Sequence, residues 1–305
     1  MPKLDLRNTI KKVVHSHLKE KKYYAMGQCL TAVGWVGGTL PELYEKDGMI
    51  ELSMADVAGA GFVVGAALQG KRPIYIIRYQ GFNWYNAPMI VNYACKSKEM
   101  WGRSCPIFIR SIAMEGGIGP SAGSSHHTLY YRMPGIKMYS PMTPKEYKLV
   151  YNKFLNDDSV YYVSEHRGAY PNNIELKDIE YTKPDAVIIS ISITRFSAIK
   201  ASNILKKKYG IKASIFNLMQ IKPFKLKRKI VENISRMKNK IVFVTDDDYE
   251  NGLGQNIGFE ISNLTNAKIK ILAVKERTAG FHPKVDNLPP DCSKIVKEIL
   301  KEVRK

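Results

Sequence analysis

Ser53-Met54-Ala55-Asp56-Val57-Ala58-Gly59-Ala60-Gly61-Phe62-Val63-Val64-Gly65-Ala66-Ala67-Leu68-Gln69-Gly70 decides how this chain is read. It has the length of an ordinary helix, with Ser at its start and Gly at its exit. No charge falls between Asp56 and Lys71, and a helix apolar on all sides is expected to be buried on all sides. Gly59, Gly61 and Gly65 each cost about 1 kcal/mol relative to Ala in a helix interior. They make sense where another backbone approaches closely. Asp56 is the one ionisable group. Ser53-x-x-Asp56 has the spacing of a capping box, and an acid in the first turn complements the helix dipole. The rival reading is a functional acid at the edge of a core helix.

On either side of this helix, apolar runs alternate between the two periods of regular structure. Leu6, Ile10, Val13, Val14 and Leu18 predict an amphipathic helix over 5–20. Strands are expected at Tyr23–Leu30, Met49–Leu52, Pro73–Tyr79, Pro106–Ile112, Ile136–Tyr139 and Val160–Ser164. Helices are expected at about Ala87–Met100 and Pro144–Leu155. Gly34–Thr39 and Gly116–Gly123 read as glycine loops. The polar segment 166–184 reads as a linker. Beyond it, alternation resumes with strands at Ala186–Ile193, Ala213–Leu218, Lys240–Thr245 and Ile269–Val274 and helices between and after them. Strand–helix alternation implies a mainly parallel sheet covered on both faces. The expected fold is α/β in two domains, residues 1–165 and a smaller 185–305.

The 305 residues, 45% hydrophobic, suit two ordinary globular domains. No apolar run approaches the roughly 18 residues of a membrane span, and the charged N-terminus lacks a signal-peptide core. Cys29, Cys95, Cys105 and Cys292 form no metal or redox spacing. Free thiols in a cytoplasmic protein are the expectation. The net charge is +19, and Arg195–Lys240 holds 14 Lys or Arg against one acid, Glu232. Without a recognition motif or interleaved aromatics this is read as a solvated face, so nucleic-acid binding is not expected.

Ligands of open α/β sheets bind beyond the carboxyl ends of the strands. Three segments fall there: Asp56; Tyr79-Gln80-Gly81-Phe82-Asn83-Trp84-Tyr85, with aromatics at every third position; and the glycine loop leading to Ser124-Ser125-His126-His127. The aromatics fit either a binding wall or a core, and the histidines either acid–base groups or a surface pair. No third ligand at a fixed spacing suggests a metal. The loop Gly116–Gly123 matches neither a Walker nor a dinucleotide fingerprint. Near Gly252–Gly258, Asp246, Asp247 and Asp248 argue against a phosphate cradle.

Taken together, these segments resemble a known pattern. Ser53–Gly70 with Lys71-Arg72-Pro73, then Ile90–Lys96 and Met100-Trp101-Gly102, are similar to the beta subunits of 2-oxo acid dehydrogenase first components. So are Pro134-Gly135-Ile136-Lys137, Ser164-Glu165-His166-Arg167, Asn251–Gly254 and Phe281-His282-Pro283. The stretch from Gly119-Pro120 to His126-His127 resembles the related transketolases, including their split two-gene forms. The resemblance covers nearly the whole chain. It implies a thiamine diphosphate-binding pyrimidine domain followed by a transketolase C-terminal-like domain.

In that family the acid matching Asp56 hydrogen-bonds the cofactor's aminopyrimidine and promotes the imino tautomer that generates the ylid. Aromatics matching Tyr79, Phe82 and Tyr85 pack on the ring, Gln28 stands at a polar contact, and His126, with His127 beside it, is placed at substrate. Departures are clear. The family acid is almost always Glu, so Asp56 is shorter by about 1.5 Å, one carbon–carbon bond. The family's Gly-Glu-Asp appears as Gly27-Gln28-Cys29, and the segment between the histidines and Pro134 is short. The Gly-Asp-Gly motif that holds diphosphate and Mg²⁺ is absent from the sequence.

The resemblance thus implies half a cofactor site. An alpha-type subunit carrying the diphosphate-binding domain supplies the rest, in a dimer of heterodimers. The expected function is the beta-type subunit of a thiamine diphosphate-dependent enzyme acting on a 2-oxo acid. The alternatives are the C-terminal subunit of a split transketolase, and a catalytically silent regulatory subunit.

Overall fold

The computed structural model describes residues 4–21 and 23–304. The chain forms two compact units. The first comprises residues 1–114, 118–175 and 220–222, and the second residues 115–117, 176–219 and 223–305.

The first unit is built on a seven-stranded sheet. Its strands are β1 (Ala25–Gly27), β2 (Met49–Glu51), β3 (Ile74–Ile77), β4 (Phe108–Ala113), β5 (Ile136–Tyr139), β6 (Val160–His166) and β9 (Gln220–Lys222). Their order is β2-β1-β3-β4-β6-β5-β9. All neighbours run parallel except β9, which is antiparallel to β5. Every residue of β3, β4 and β6 is buried, as expected of strands covered on both faces. The chain leaves β1 toward β2 and then crosses back to β3 on the other side. That reversal is a topological switch point, where the carboxyl ends of the strands open a crevice.

The helices of this unit begin with α1 (Leu6–Lys19), where Asp5 caps Asn8 N–H. Then follow α2 (Ala32–Gly38), α3 (Asp56–Leu68), α4 (Asn83–Met89), α5 (Ser97–Trp101), α6 (Thr128–Tyr131) and α7 (Pro144–Leu155). The helix expected at 87–100 is broken. Pro88 lies inside α4, and the ladder continues as a π turn over Ile90–Ala94 before α5. The glycine loop at 34–39 is not a loop but the tight turn α2. Val33 to Gly37 all hold φ between +50° and +62°, a left-handed helical turn. Such a conformation costs non-glycine residues roughly 1–2 kcal/mol each. The first strand is three residues long rather than eight.

Two expectations for α3 fail. The helix begins at Asp56 with Ala55 at the N-cap and no side-chain cap, so Ser53 lies outside and no capping box forms. Nor is the helix buried all round. Gly59, Ala60, Val63, Val64 and Ala67 face the core, while Met54, just before it, Val57 and Phe62 are 76%, 51% and 69% exposed. Its glycines divide likewise. A Cβ on Gly59 would lie 3.4 Å from Leu52 and Tyr75, and one on Gly61 3.3 Å from Met89, whereas nothing lies within 4 Å of Gly65.

The second unit holds the parallel sheet β11-β10-β7-β8, with β7 (Ala186–Ile191), β8 (Ala213–Leu218), β10 (Ile241–Tyr249) and β11 (Lys268–Val274). Its helices are α8 (Thr194–Tyr209), α9 (Arg228–Ser235), α10 (Leu253–Thr265) and α11 (Cys292–Val303). The core joins Ile188, Leu205, Ile215, Phe243, Ile295 and Ile299. The Gly252–Gly258 stretch serves packing. A Cβ on Gly258 would lie 2.7 Å from Ile269, and one on Gly254 3.2 Å from Ile271. Lys206, Lys207 and Lys208 are solvated in the last turn of α8, where the helix dipole favours cations.

The expected linker is not a free connection. Residues 166–175 belong to the first unit, where Leu6 N–H donates to Asn172 O at 2.8 Å and Arg7 N–H to Tyr170 O at 3.0 Å. Residues 176–184 belong to the second, in which Ile179 bridges to Ile215. Residues 220–222, expected within the second domain, form a strand of the first sheet.

Candidate active site

The switch point brings three strand ends together. Gln28 and Cys29 follow β1, Met54 and Asp56 follow β2, and Arg78, Tyr79 and Phe82 follow β3. With Tyr75, Ile76 and Ile77 they line a cavity of about 200 Å³. That is below the roughly 300–1,000 Å³ of sites for drug-sized ligands, and suits a single heterocycle better than a long coenzyme. The walls are apolar and aromatic. Arg78, whose guanidinium carbon lies 5.3 Å from the centre of the Tyr79 ring, Asp56 and Gln28 break them. Asp56 is half-buried, and among the described residues the Gln28 Nε2 is a buried donor with no partner. A buried unpaired donor costs about 1–3 kcal/mol.

Asp56 is held from one side. Asn86, fully buried on α4, donates Nδ2–H to Asp56 Oδ1 at 2.8 Å and to Phe82 O at 2.8 Å. Tyr75 O–H donates to Asn86 Oδ1 at 2.5 Å. Burial, and then the nearby Asp56 charge, push the Tyr75 phenol well above its ordinary pKa, so it remains a donor. Among the described residues, only Oδ1 of Asp56 is engaged.

Of the three aromatics, Tyr79 and Phe82 line the cavity, their rings edge to face with centroids 5.9 Å apart. Tyr85 does not. It is 57% exposed, 6.4 Å from Phe82 on the outer side. The histidines also lie outside the cavity lining. His126 donates Nε2–H to Gly123 O at 3.1 Å, and its ring meets Trp84 edge-on at 6.5 Å. His127 is fully buried, with Nδ1 3.1 Å from Ser125 Oγ and 3.3 Å from Ser164 Oγ. Gln80 organises this loop, accepting from Ser125 Oγ–H and His126 N–H and donating to Ser164 Oγ.

A family model described as the transketolase pyrimidine-binding domain matches residues 3–173, more than half of the chain. The chain belongs to this family. A model of the transketolase C-terminal domain matches residues 178–286 of the family member described here. The chain is 26% identical over 272 residues to the 2-oxoisovalerate dehydrogenase subunit beta of Bacillus subtilis, covering 80% of this chain and 79% of that one. It is 25% identical over 280 residues to the mitochondrial pyruvate dehydrogenase E1 component subunit beta of Dictyostelium discoideum, covering 82% and 76%. Its fold resembles a solved structure described as a split gene transketolase, inactive beta4 tetramer, with TM-score 0.72 at 15% identity over 99% and 98% of the two chains.

Sequence reasoning placed Asp56, Gln28, Tyr79 and Phe82 at one site and missed Asn86 and Tyr75. Tyr75 reads as one more apolar residue of a buried strand. Asn86 follows Phe82 by four residues, one helical turn, and that spacing was the available signal.

Proposed function

We propose that this chain is the beta-type subunit of a thiamine diphosphate-dependent enzyme acting on a 2-oxo acid. The observation that carries this reading is the cavity at the β1–β3 switch point, with Asp56 and the unpaired Gln28 amide in its walls. The residues present fit an aminopyrimidine. Phe82 and Tyr79 offer aromatic surface, Asp56 an acceptor for a ring nitrogen, and the Gln28 side chain a polar stretch of wall. When bound, the cofactor would supply the nucleophilic carbon for chemistry at the carbonyl of a 2-oxo acid. This chain's part is to bind and orient the ring, exclude water from it, and hold a proton at the ring nitrogen facing Asp56.

The diphosphate and Mg²⁺ are assigned to a partner chain. No Gly-Asp-Gly motif occurs in the sequence, and the cavity is too small for the whole cofactor. The exposed apolar residues Met54, in the cavity lining, and Val57 and Phe62, on α3, provide a face for that partner. The dehydrogenase beta subunits named above favour a 2-oxo acid over a ketose.

The test is reconstitution with a chain carrying a Gly-Asp-Gly motif, thiamine diphosphate and Mg²⁺, followed by a substrate screen. Decarboxylation of a branched or short 2-oxo acid is expected. Ketol transfer between sugars instead supports the split-transketolase alternative. Assembly without turnover on either class leaves the silent subunit.

A further inference from the structure

The proposed role of Asp56 raises a geometric difficulty that its neighbours resolve. An Asp reaches about one carbon–carbon bond, 1.5 Å, less far than a Glu. A catalytic group misplaced by 1 Å can cost on the order of 100-fold. In this chain the short acid does not stand alone. Asn86 Nδ2 holds its Oδ1 at 2.8 Å, and Tyr75 O–H holds Asn86 Oδ1 at 2.5 Å.

The orientation of the Asn86 amide follows from its surroundings. The Phe82 carbonyl, 2.8 Å from Nδ2, only accepts, and the protonated Tyr75 phenol donates to Oδ1. The amide is therefore fixed with its N–H groups toward Asp56 and Phe82. All three supports come from rigid parts of the fold: Tyr75 from β3, Asn86 from α4, and Phe82 from the turn that supplies a wall of the cavity. Tyr75 and Asn86 are 2% and 0% exposed, so water does not compete for these bonds.

We infer that Asn86 and Tyr75 are positioning residues that lock Asp56 through Oδ1 and present Oδ2 to the ligand, making up in rigidity for the missing methylene. The inference rests on the proposed function, and it adds two residues that act on the ring only through Asp56. It also links the acid to a wall of its own pocket, because one amide nitrogen bonds both Asp56 and the backbone of Phe82. A shift of the aromatic wall and a shift of the acid then occur together.

The test is a double-mutant cycle on the full chain. The probe is 4-amino-2,5-dimethylpyrimidine, the isolated ring, whose binding needs no diphosphate clamp. Affinity is read by ligand-observed NMR, with thermal melting as the folding control. Asn86→Ala is expected to weaken the probe by about tenfold or more, the scale of a lost hydrogen bond to a charged group. In an Asp56→Ala background, Asn86→Ala is expected to add less than twofold, because its effect passes through the acid. Asp56→Glu combined with Asn86→Ala is expected to recover affinity, since the longer acid fills the vacated space. Tyr75→Phe, which keeps the ring's bulk, covers the case in which Asn86→Ala unfolds. It should weaken the probe in the same Asp56-dependent way. Equal losses in both backgrounds, or no loss from either variant, overturn the inference while leaving the proposed function standing. Failure of the unaltered chain to bind the probe at millimolar concentration overturns both.

Discussion

Arg110 and Glu165 meet as a fully buried two-point ion pair, Nε to Oε1 at 2.7 Å and Nη2 to Oε2 at 2.9 Å, between adjacent central strands of the first sheet. Tyr147 and Tyr170 donate to the same carboxylate at 2.9 and 2.8 Å. Burial alone would lower the guanidinium pKa, but the Glu165 charge reverses this and holds it above its ordinary value. Removing one partner of such a pair leaves a buried charge and costs about 3–5 kcal/mol. Glu165→Ala is expected to destabilise the chain by that amount in denaturant unfolding. A loss under about 1 kcal/mol would mean that water or another group takes over the charge.

Asp56 decides between an active and a silent subunit. Asn in its place keeps the side-chain size but not the charge. Asp56→Asn is expected to leave the reconstituted complex folded while removing most turnover. Asp56→Glu is expected to lower turnover only modestly where Asn86 is present, since the native acid is already locked. Full turnover of Asp56→Asn, with an unchanged melting temperature, sinks the catalytic reading.

His17 gives the chain an acid limit. It is fully buried on α1, with Nδ1 3.0 Å from Tyr151 Oη. Burial lowers its pKa from 6.5 to about 4, against smaller opposing pulls from the Tyr24 and Arg72 carbonyls. The unfolded chain therefore binds a proton that the folded chain refuses. Stability is full above pH 6.5 and falls by about 3 kcal/mol as pH drops to about 4. His17→Phe should flatten that part of the melting-temperature profile relative to the unaltered chain. Parallel profiles for the two proteins between pH 6.5 and 5 contradict the assignment.

His126 and His127 separate by burial. His126→Ala should reduce turnover more than cofactor affinity, because its ring lies beside exposed Trp84 rather than in the Asp56 cavity. His127→Ala should lower the melting temperature, because it empties a buried polar cluster with Ser125 and Ser164. Reversed outcomes for the two variants would exchange their roles.

The exposed side of α3 predicts assembly. Sedimentation at micromolar concentration should find the full chain associated, alone or with its partner. Phe62→Asp should weaken that association at least tenfold with little change in the monomer's fold, since Phe62 is 69% exposed. A well-folded unaltered monomer with no tendency to associate argues against an interface here.

The α/β class, the number of units and most strand positions were legible in the sequence, because buried parallel strands such as Ile74–Ile77 and Phe108–Ala113 are continuous apolar runs. Asp56 stood out as the one charge on an uncharged helix, but local sequence fitted a helix cap as well as a functional acid, and its place at a cofactor site was implied by the family resemblance. Tertiary structure alone decided the rest. Which strand ends become neighbours depends on the order β2-β1-β3, and that crossing brings Gln28, Asp56 and Phe82 to one cavity. Strand β9 joins the first sheet across a large sequence separation, which local patterns do not encode. The Tyr75–Asn86–Asp56 chain joins residues whose separate signals are a strand aromatic, a helix amide and a first-turn acid. Hydrogen bonds act over about 3 Å in space, whereas hydrophobic periodicity reports only which face of an element is covered.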